Sequence, residues 1–235
     1  MSNQGDPQDT VAVLLAARDL AKTHGRTRAL SGASADLCAG EILAVTGTSG
    51  SGKSTLLHCL AGIVRPDAGT VTYAGQRLDK LPEKRLSELR RTEFGVVFQF
   101  GQLIPELTAV DNVALPLLLA GASRTDARAG AAEWLERFGV RGQAELRPGE
   151  MSGGQAQRVA LARALITGPK VVFADEPTGA LDSLASEQVM TALVTAARES
   201  GTAVLLITHD AQVAAYADRE IRLADGIVTT AGVIA

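Results

Sequence analysis

Residues 41–61 read Glu41-Ile-Leu-Ala-Val-Thr-Gly47-Thr-Ser-Gly-Ser-Gly-Lys53-Ser-Thr-Leu-Leu-His-Cys-Leu-Ala61. Glu41–Thr46 is a short apolar run that stops at glycine, the pattern of a buried strand. Lys53–Ala61 reads as a helix. Between them, Gly47, Thr48, Ser49, Gly50, Ser51, Gly52, Lys53, Ser54 and Thr55 fit G-x-x-x-x-G-K-[ST] in the strand–loop–helix context that the pattern requires. The glycines let several backbone N–H groups turn inward onto phosphate oxygens. The start of the helix adds its positive dipole end. Lys53 offers a point charge to the β- and γ-phosphates, and the Ser54 hydroxyl is placed to ligate Mg²⁺.

A second strand completes such a site. Lys170–Ala174 is apolar and delivers Asp175 and Glu176 to its C-terminal end, where ligands sit in open α/β sheets. Asp175 suits the Mg²⁺ shell. Glu176, one residue on, suits the general base that polarises an attacking water. By themselves two acidic residues there also serve as a helix cap; beside the phosphate loop the catalytic reading takes precedence.

Further strands are expected at Thr70–Tyr73, Gly95–Phe98 and Ala203–Thr208, with a closing hairpin of Arg219–Leu223 and Ile227–Thr230 around Asp225-Gly226. Helices are expected at Lys84–Thr92, at Leu184–Glu199 and from about Ala211. From about Thr108 to Gly168 the pattern is helical and rich in Ala, Leu, Glu and Arg. The expected architecture is an α/β fold with a mostly parallel sheet covered on both faces. Residues 1–10 are expected to be a flexible arm. Residues 11–235 form one domain, a core of about 11–99 and 169–235 with a helical subdomain at about 100–168 set into it.

Composition narrows the partners. The 235 residues carry a net charge of −3 and only 3% aromatics, which argues against nucleic acid as a partner. Cys38 and Cys59 form no metal-like cluster and fit a reducing cytosol. No secretory signal is visible in residues 1–9. The most apolar stretch, Val113–Ala122, is too short to span a bilayer, so membrane spans would come from another chain.

Met151-Ser152-Gly153-Gly154-Gln155, followed by Ala-Gln-Arg-Val-Ala-Leu-Ala-Arg-Ala-Leu165, resembles the Leu-Ser-Gly-Gly-Gln signature of ATP-binding-cassette (ABC) proteins. The resemblance covers about residues 11–230. It implies a P-loop NTPase (RecA-like) core with an antiparallel β portion and an inserted helical subdomain. It implies ATP and Mg²⁺ as ligands, ATP hydrolysis, and a homodimer in which one protomer's signature completes the other's phosphate loop. By the same resemblance Gln99 is similar to the Q-loop glutamine, which senses Mg²⁺ and faces the membrane partner. Asp182 is similar to the D-loop aspartate at the dimer interface, and His209 to the switch histidine that reads the γ-phosphate. Taken singly, Gln99, Asp182 and His209 are ordinary polar residues at strand or helix ends; the family order gives them roles.

Two positions depart from the pattern. Met151 stands for the usual leucine, a volume-conserving change. His24, in Lys22-Thr23-His24-Gly25, stands where a tyrosine commonly stacks on adenine; it is a smaller, polar platform. The segments Val97–Pro116 and Ala174–Asp182 resemble the ATPases of the macrolide-export and lipoprotein-release group. Their partners are permeases with few spans and large extracytoplasmic domains. The expected location is cytoplasmic, on the inner face of the cell membrane through the permease. A soluble ABC-type ATPase of DNA repair or translation is the alternative. The former carries long coiled-coil insertions, and Thr55–Met151 has no sustained heptads; the latter usually carries two cassettes, and this chain has one.

Overall fold

The computed structural model describes residues 12–99 and 101–233; the arm expected at residues 1–10 lies outside them. A long hairpin comes first, β1 (Val13–His24) and β2 (Thr27–Cys38), followed by β3 (Ile42–Thr46) and α1 (Lys53–Leu60). Then come β4 (Ala68–Tyr73), β5 (Gln76–Arg77), α2 (Glu83–Thr92) and β6 (Phe94–Val97). Three helices follow without an intervening strand: α3 (Ala109–Leu119), α4 (Arg124–Arg137) and α5 (Gly153–Leu165). The chain closes with β7 (Val171–Asp175), α6 (Ser183–Ser200), β8 (Ala203–Ile207), a single-turn α7 (Ala211–Ala214), β9 (Arg219–Ala224) and β10 (Ile227–Val233).

Two sheets form. The larger has the order β10-β9-β3-β8-β7-β6, and the smaller β2-β1-β4-β5. Within the larger sheet only the β9–β10 pair is antiparallel. Its central strands β3, β7 and β8 are apolar up to their C-terminal residues because both faces are covered. Ile42 and Ala44 of β3 point into a core shared with α3–α6. Leu43 and Val45 point into a second core shared with α1 and the antiparallel sheet. In that second core Tyr73, Phe94 and Phe173 stack edge to face, with centroids 4.9 and 5.3 Å apart. Such edge-to-face pairs gain from ring quadrupoles as well as burial.

Local side chains set where the helices begin. Thr108, Ser123, Ser152 and Asp182 are N-caps whose side chains accept a backbone N–H from the first turn of α3, α4, α5 and α6, satisfying donors the helix itself leaves unpaired. Asn112, fully buried in α3, is bonded entirely to the segment before it. Its Oδ1 accepts from Ile104 N–H at 2.8 Å, and its Nδ2 donates to the carbonyls of Ile104, Leu107 and Thr108 at 3.1–3.2 Å.

Three features were not specified by the residue patterns. The β1–β2 hairpin was not anticipated strand by strand. The helical stretch 108–168 is three α-helices joined by turns and short 3₁₀ segments. The helix from Ala211 stops after one turn, because the chain must enter β9 and Asp218 is committed to the backbone N–H of Ile42 at 2.8 Å.

Candidate nucleotide site

Parallel pairing brings the strand ends into one row. Val45 of β3 is opposite Ile207 of β8, which is opposite Asp175 of β7. The loops leaving β3, β6, β7 and β8 therefore emerge along one edge. They line a cleft of about 710 Å³ that holds Thr48–Gly50, Gly52–Thr55, Gln99, Asp175, Glu176 and His209.

The phosphate loop is wedged between the two sheets. A side chain at Gly47 would strike the carbonyl of Leu223 in β9, and one at Gly52 the carbonyl of Ala29 in β2. Both glycines have left-handed φ, +145° and +103°, so close approach and backbone shape each require glycine. The turn between β9 and β10 grips the loop from behind: Gly226 N–H donates to the Ser51 carbonyl at 3.0 Å, and Ser31 N–H donates to the Gly226 carbonyl at 2.9 Å. Lys53 is buried, and its Nζ donates to the carbonyls of Gly47 and Thr48 at 2.8 and 2.9 Å. The Ser51 hydroxyl is buried without a hydrogen-bond partner, and an orphaned polar atom of that kind costs about 1–3 kcal/mol.

The carboxylates stand opposite. Glu176 has φ +47° although it is not glycine, a conformation that costs roughly 1–3 kcal/mol and clusters at functional sites. The kink turns its side chain out of the strand line while its N–H stays bonded to the Ile207 carbonyl at 3.0 Å. Glu176 Oε1 lies 2.8 Å from His209 Nδ1. Exposed Ser54 and Gln99 and half-buried Asp175 share the cleft. Hydroxyl, amide and carboxylate oxygens are the hard donors that Mg²⁺ takes alongside substrate phosphates. Among the described residues no group of three or more His, Cys, Asp or Glu could hold a metal ion. His24 ends β1 beside this cleft, its Nε2 3.5 Å from the Thr55 hydroxyl.

The remaining sequence-derived residues lie elsewhere. Ser152, Gly153, Gly154, Gln155 and Asp182 do not line the cleft. Ser152 and Gln155 form a reciprocal cap: Ser152 N–H donates to Gln155 Oε1 at 2.9 Å, and Gln155 N–H to Ser152 Oγ at 3.3 Å. Gly153 and Gly154 abut Leu181 and Ala185, and Asp182 accepts from Ala185 N–H at 2.8 Å. Signature turn and Asp182 thus form a second, continuous surface. The motif reading missed Thr27, Ala29 and Ile207, which also line the cleft. It also missed Asn112, Gln157 and Arg163, which act through backbone partners and carry no local signal.

Comparison with known proteins agrees with this architecture. A family model described as "ABC transporter" matches residues 30–179. The chain is 43% identical, over 92% of its length and 97% of the relative's, to the lipoprotein-releasing system ATP-binding protein LolD of Geobacter metallireducens. It is 46% identical to LolD of Bordetella pertussis, over 94% and 97%. Among solved structures, the post-hydrolysis dimer of the ATP-binding cassette MJ0796 with ADP and Pi superposes with a TM-score of 0.88 at 36% identity, covering 94% of this chain and 99% of that one. Family, relatives and fold agree with the motor reading over the soluble alternative: the chain belongs to the ABC transporter family, as an ATP-binding, ATP-hydrolysing subunit of a membrane transporter.

Proposed function

We propose that two copies of this chain close around two ATP molecules, each bound between the phosphate loop of one copy and the Ser152–Gln155 turn of the other. One observation carries this reading. Ser152–Gly154 open a thirteen-residue helix, an anion-binding end, yet do not line the cleft of their own chain. A γ-phosphate from a second copy would give that end its ligand, and Asp182 would lie at the join.

In this reading the phosphate loop and Lys53 hold the β- and γ-phosphates. Ser54, Gln99 and Asp175 would hold Mg²⁺, which supplies charge neutralisation on the phosphate oxygens. Glu176 takes the proton of the water that attacks the γ-phosphorus, and the bond from that phosphorus to the bridging oxygen breaks. His209, hydrogen-bonded to Glu176, orients that carboxylate and meets the γ-phosphate. His24 lies under adenine.

No helix among the described residues is long and apolar enough to cross a membrane. The partner is a permease with few spans and a large extracytoplasmic domain, and this chain sits on the inner face of the membrane against it. Ile104, Leu118 and Leu119 are exposed near the Gln99–Pro116 segment and supply apolar area for that contact. Lipoprotein release, for which the relatives are named, is the proposed cargo process. The test is the Glu176→Gln variant with MgATP, which should run as a stable dimer by light scattering. A monomer at high protein concentration, alone and with its permease, would overturn the reading.

A further inference from the structure

We propose that Arg163 is a positioning residue that holds the Gln99 loop onto the signature helix α5, so that Gln99 and the Ser152–Gln155 turn move as one body. Arg163 sits ten residues along α5 from the signature turn. Its guanidinium donates to the carbonyls of Gly101 and Gln102 at 2.7 and 2.9 Å. Its hydrogen bonds to described residues are these two, both to neutral carbonyls, and burial pulls its basicity below the ordinary value. A half-buried guanidinium held by two charge-assisted hydrogen bonds fixes the position of the carbonyls that accept them.

The rest of the helix face supports the same contact. Six residues earlier, buried Gln157 donates to the Phe98 carbonyl at 3.1 Å. Gly101 packs so closely that a side chain there would lie 3.2 Å from the Ala160 methyl and 3.3 Å from Gln157 Oε1. Positions 157, 160 and 163 share one face of a helix. Gln99 is thereby bracketed, with a carbonyl pinned on its N-terminal side at 98 and two on its C-terminal side at 101 and 102. Its own side chain is left free to reach the cleft, near Gly179. Gln102, whose carbonyl accepts from the guanidinium, has φ +45°.

The inference rests on the proposed role of Gln99 in hydrolysis. A double-mutant cycle separates the two ideas. ATPase kcat and KM are measured on the full chain for wild type, Arg163→Met, Gln99→Ala and the double variant, with Tm recorded for each. Gln157→Leu, which cuts one grip and leaves the cation, serves as a second route if Arg163→Met folds poorly. The expected result is a fall in kcat of about tenfold or more in both single variants, with KM for ATP within about threefold. The double variant should then be no slower than Gln99→Ala alone, and Arg163→Lys should recover part of the loss. Independent, multiplying losses would overturn the positioning role while leaving Gln99 in the mechanism. No loss in Gln99→Ala would overturn both.

Discussion

Replacing Gly226 by alanine tests the way the phosphate loop is braced, from a position 172 residues beyond Ser54 in the chain. Asp225 and Gly226 have φ +48° and +76°, the paired positive values of a two-residue hairpin turn. A Cβ at Gly226 would lie 2.8 Å from the Ala29 carbonyl oxygen, 2.8 Å from Leu30 Cα and 2.9 Å from Ser31 N. All three are backbone atoms of β2 and cannot rotate away. The left-handed conformation costs an alanine about 1–2 kcal/mol. Moving the turn also weakens its hydrogen bonds to Ser51 and Ser31, each worth about 0.5–1.5 kcal/mol. The total is about 2–5 kcal/mol, or about 4–20 °C in Tm for a chain of this size. The structure contains its own control. Ala74 and Gly75, between β4 and β5, have φ +46° and +79°, and nothing lies within 4 Å of a Cβ at Gly75. Gly75→Ala should therefore lose only the conformational part, about 1–2 kcal/mol. Urea denaturation of the three proteins, with m-values compared, gives the difference. Gly226→Ala should also raise KM for ATP, since the Ser51 carbonyl loses its donor. Equal losses at both sites, with unchanged KM, would refute the idea that the C-terminal turn braces the phosphate loop.

Substitutions at two other positions probe the binding of the base and the joint between sheet and helix. His24→Ala should weaken nucleotide binding by about 1–3 kcal/mol, or roughly 5- to 150-fold, and His24→Tyr should strengthen it; titration with a nucleotide that leaves affinity unchanged in the alanine variant removes the ring from the site. Burial alone would raise the Asp218 carboxyl, but its pairing with Arg198 and the Ile42 N–H holds it below the usual range. Stability from Asp218 is therefore present above the unfolded value of about 3.9 and is lost as pH falls through the lower folded value. Asp218→Asn should be less stable than wild type at pH 7, with the gap narrowing below about pH 4; a gap that does not change with pH would exclude this pair as a source of stability.

Strands with strong apolar runs were legible from residues alone. Glu41–Thr46, Gly95–Phe98, Lys170–Ala174 and Ala203–Thr208 each differ from the observed strand by one residue at one or both ends, because a strand buried on both faces has no polar positions to blur it. The β1–β2 hairpin was not legible. Its register shifts at several points, Asp19 has φ +52°, and β2 reads Thr-Arg-Ala-Leu-Ser-Gly-Ala-Ser-Ala-Asp-Leu-Cys. Bulges break the period of two on which the signal depends, and Ala, Ser, Gly and Asp have little preference for strands. At the site, the residues that were named come from contiguous motifs. What stayed hidden is held by partners remote in sequence: Ala29 against Gly52, the Ser51 carbonyl on Gly226, and Arg163 across to the loop after Gln99. The backbone carbonyls that engage Lys53 and Arg163 are present in any chain, so no residue pattern marks them.

The order β10-β9-β3-β8-β7-β6 has a consequence for how the protein is made. The strand that delivers the phosphate loop, β3, pairs only with β8 and β9, and both are synthesised late. At a translation rate of about 5–20 residues per second, the Ile42–Val45 segment waits roughly 10–30 s for its first neighbour. During that time it is a short apolar strand with two open edges, the kind of segment that pairs with the wrong chain. ATP cannot act as an early template for its own site, since the loop is not braced until the final hairpin has left the ribosome. Over that interval neither edge of β3 has its native neighbour, and the ligand cannot take that place.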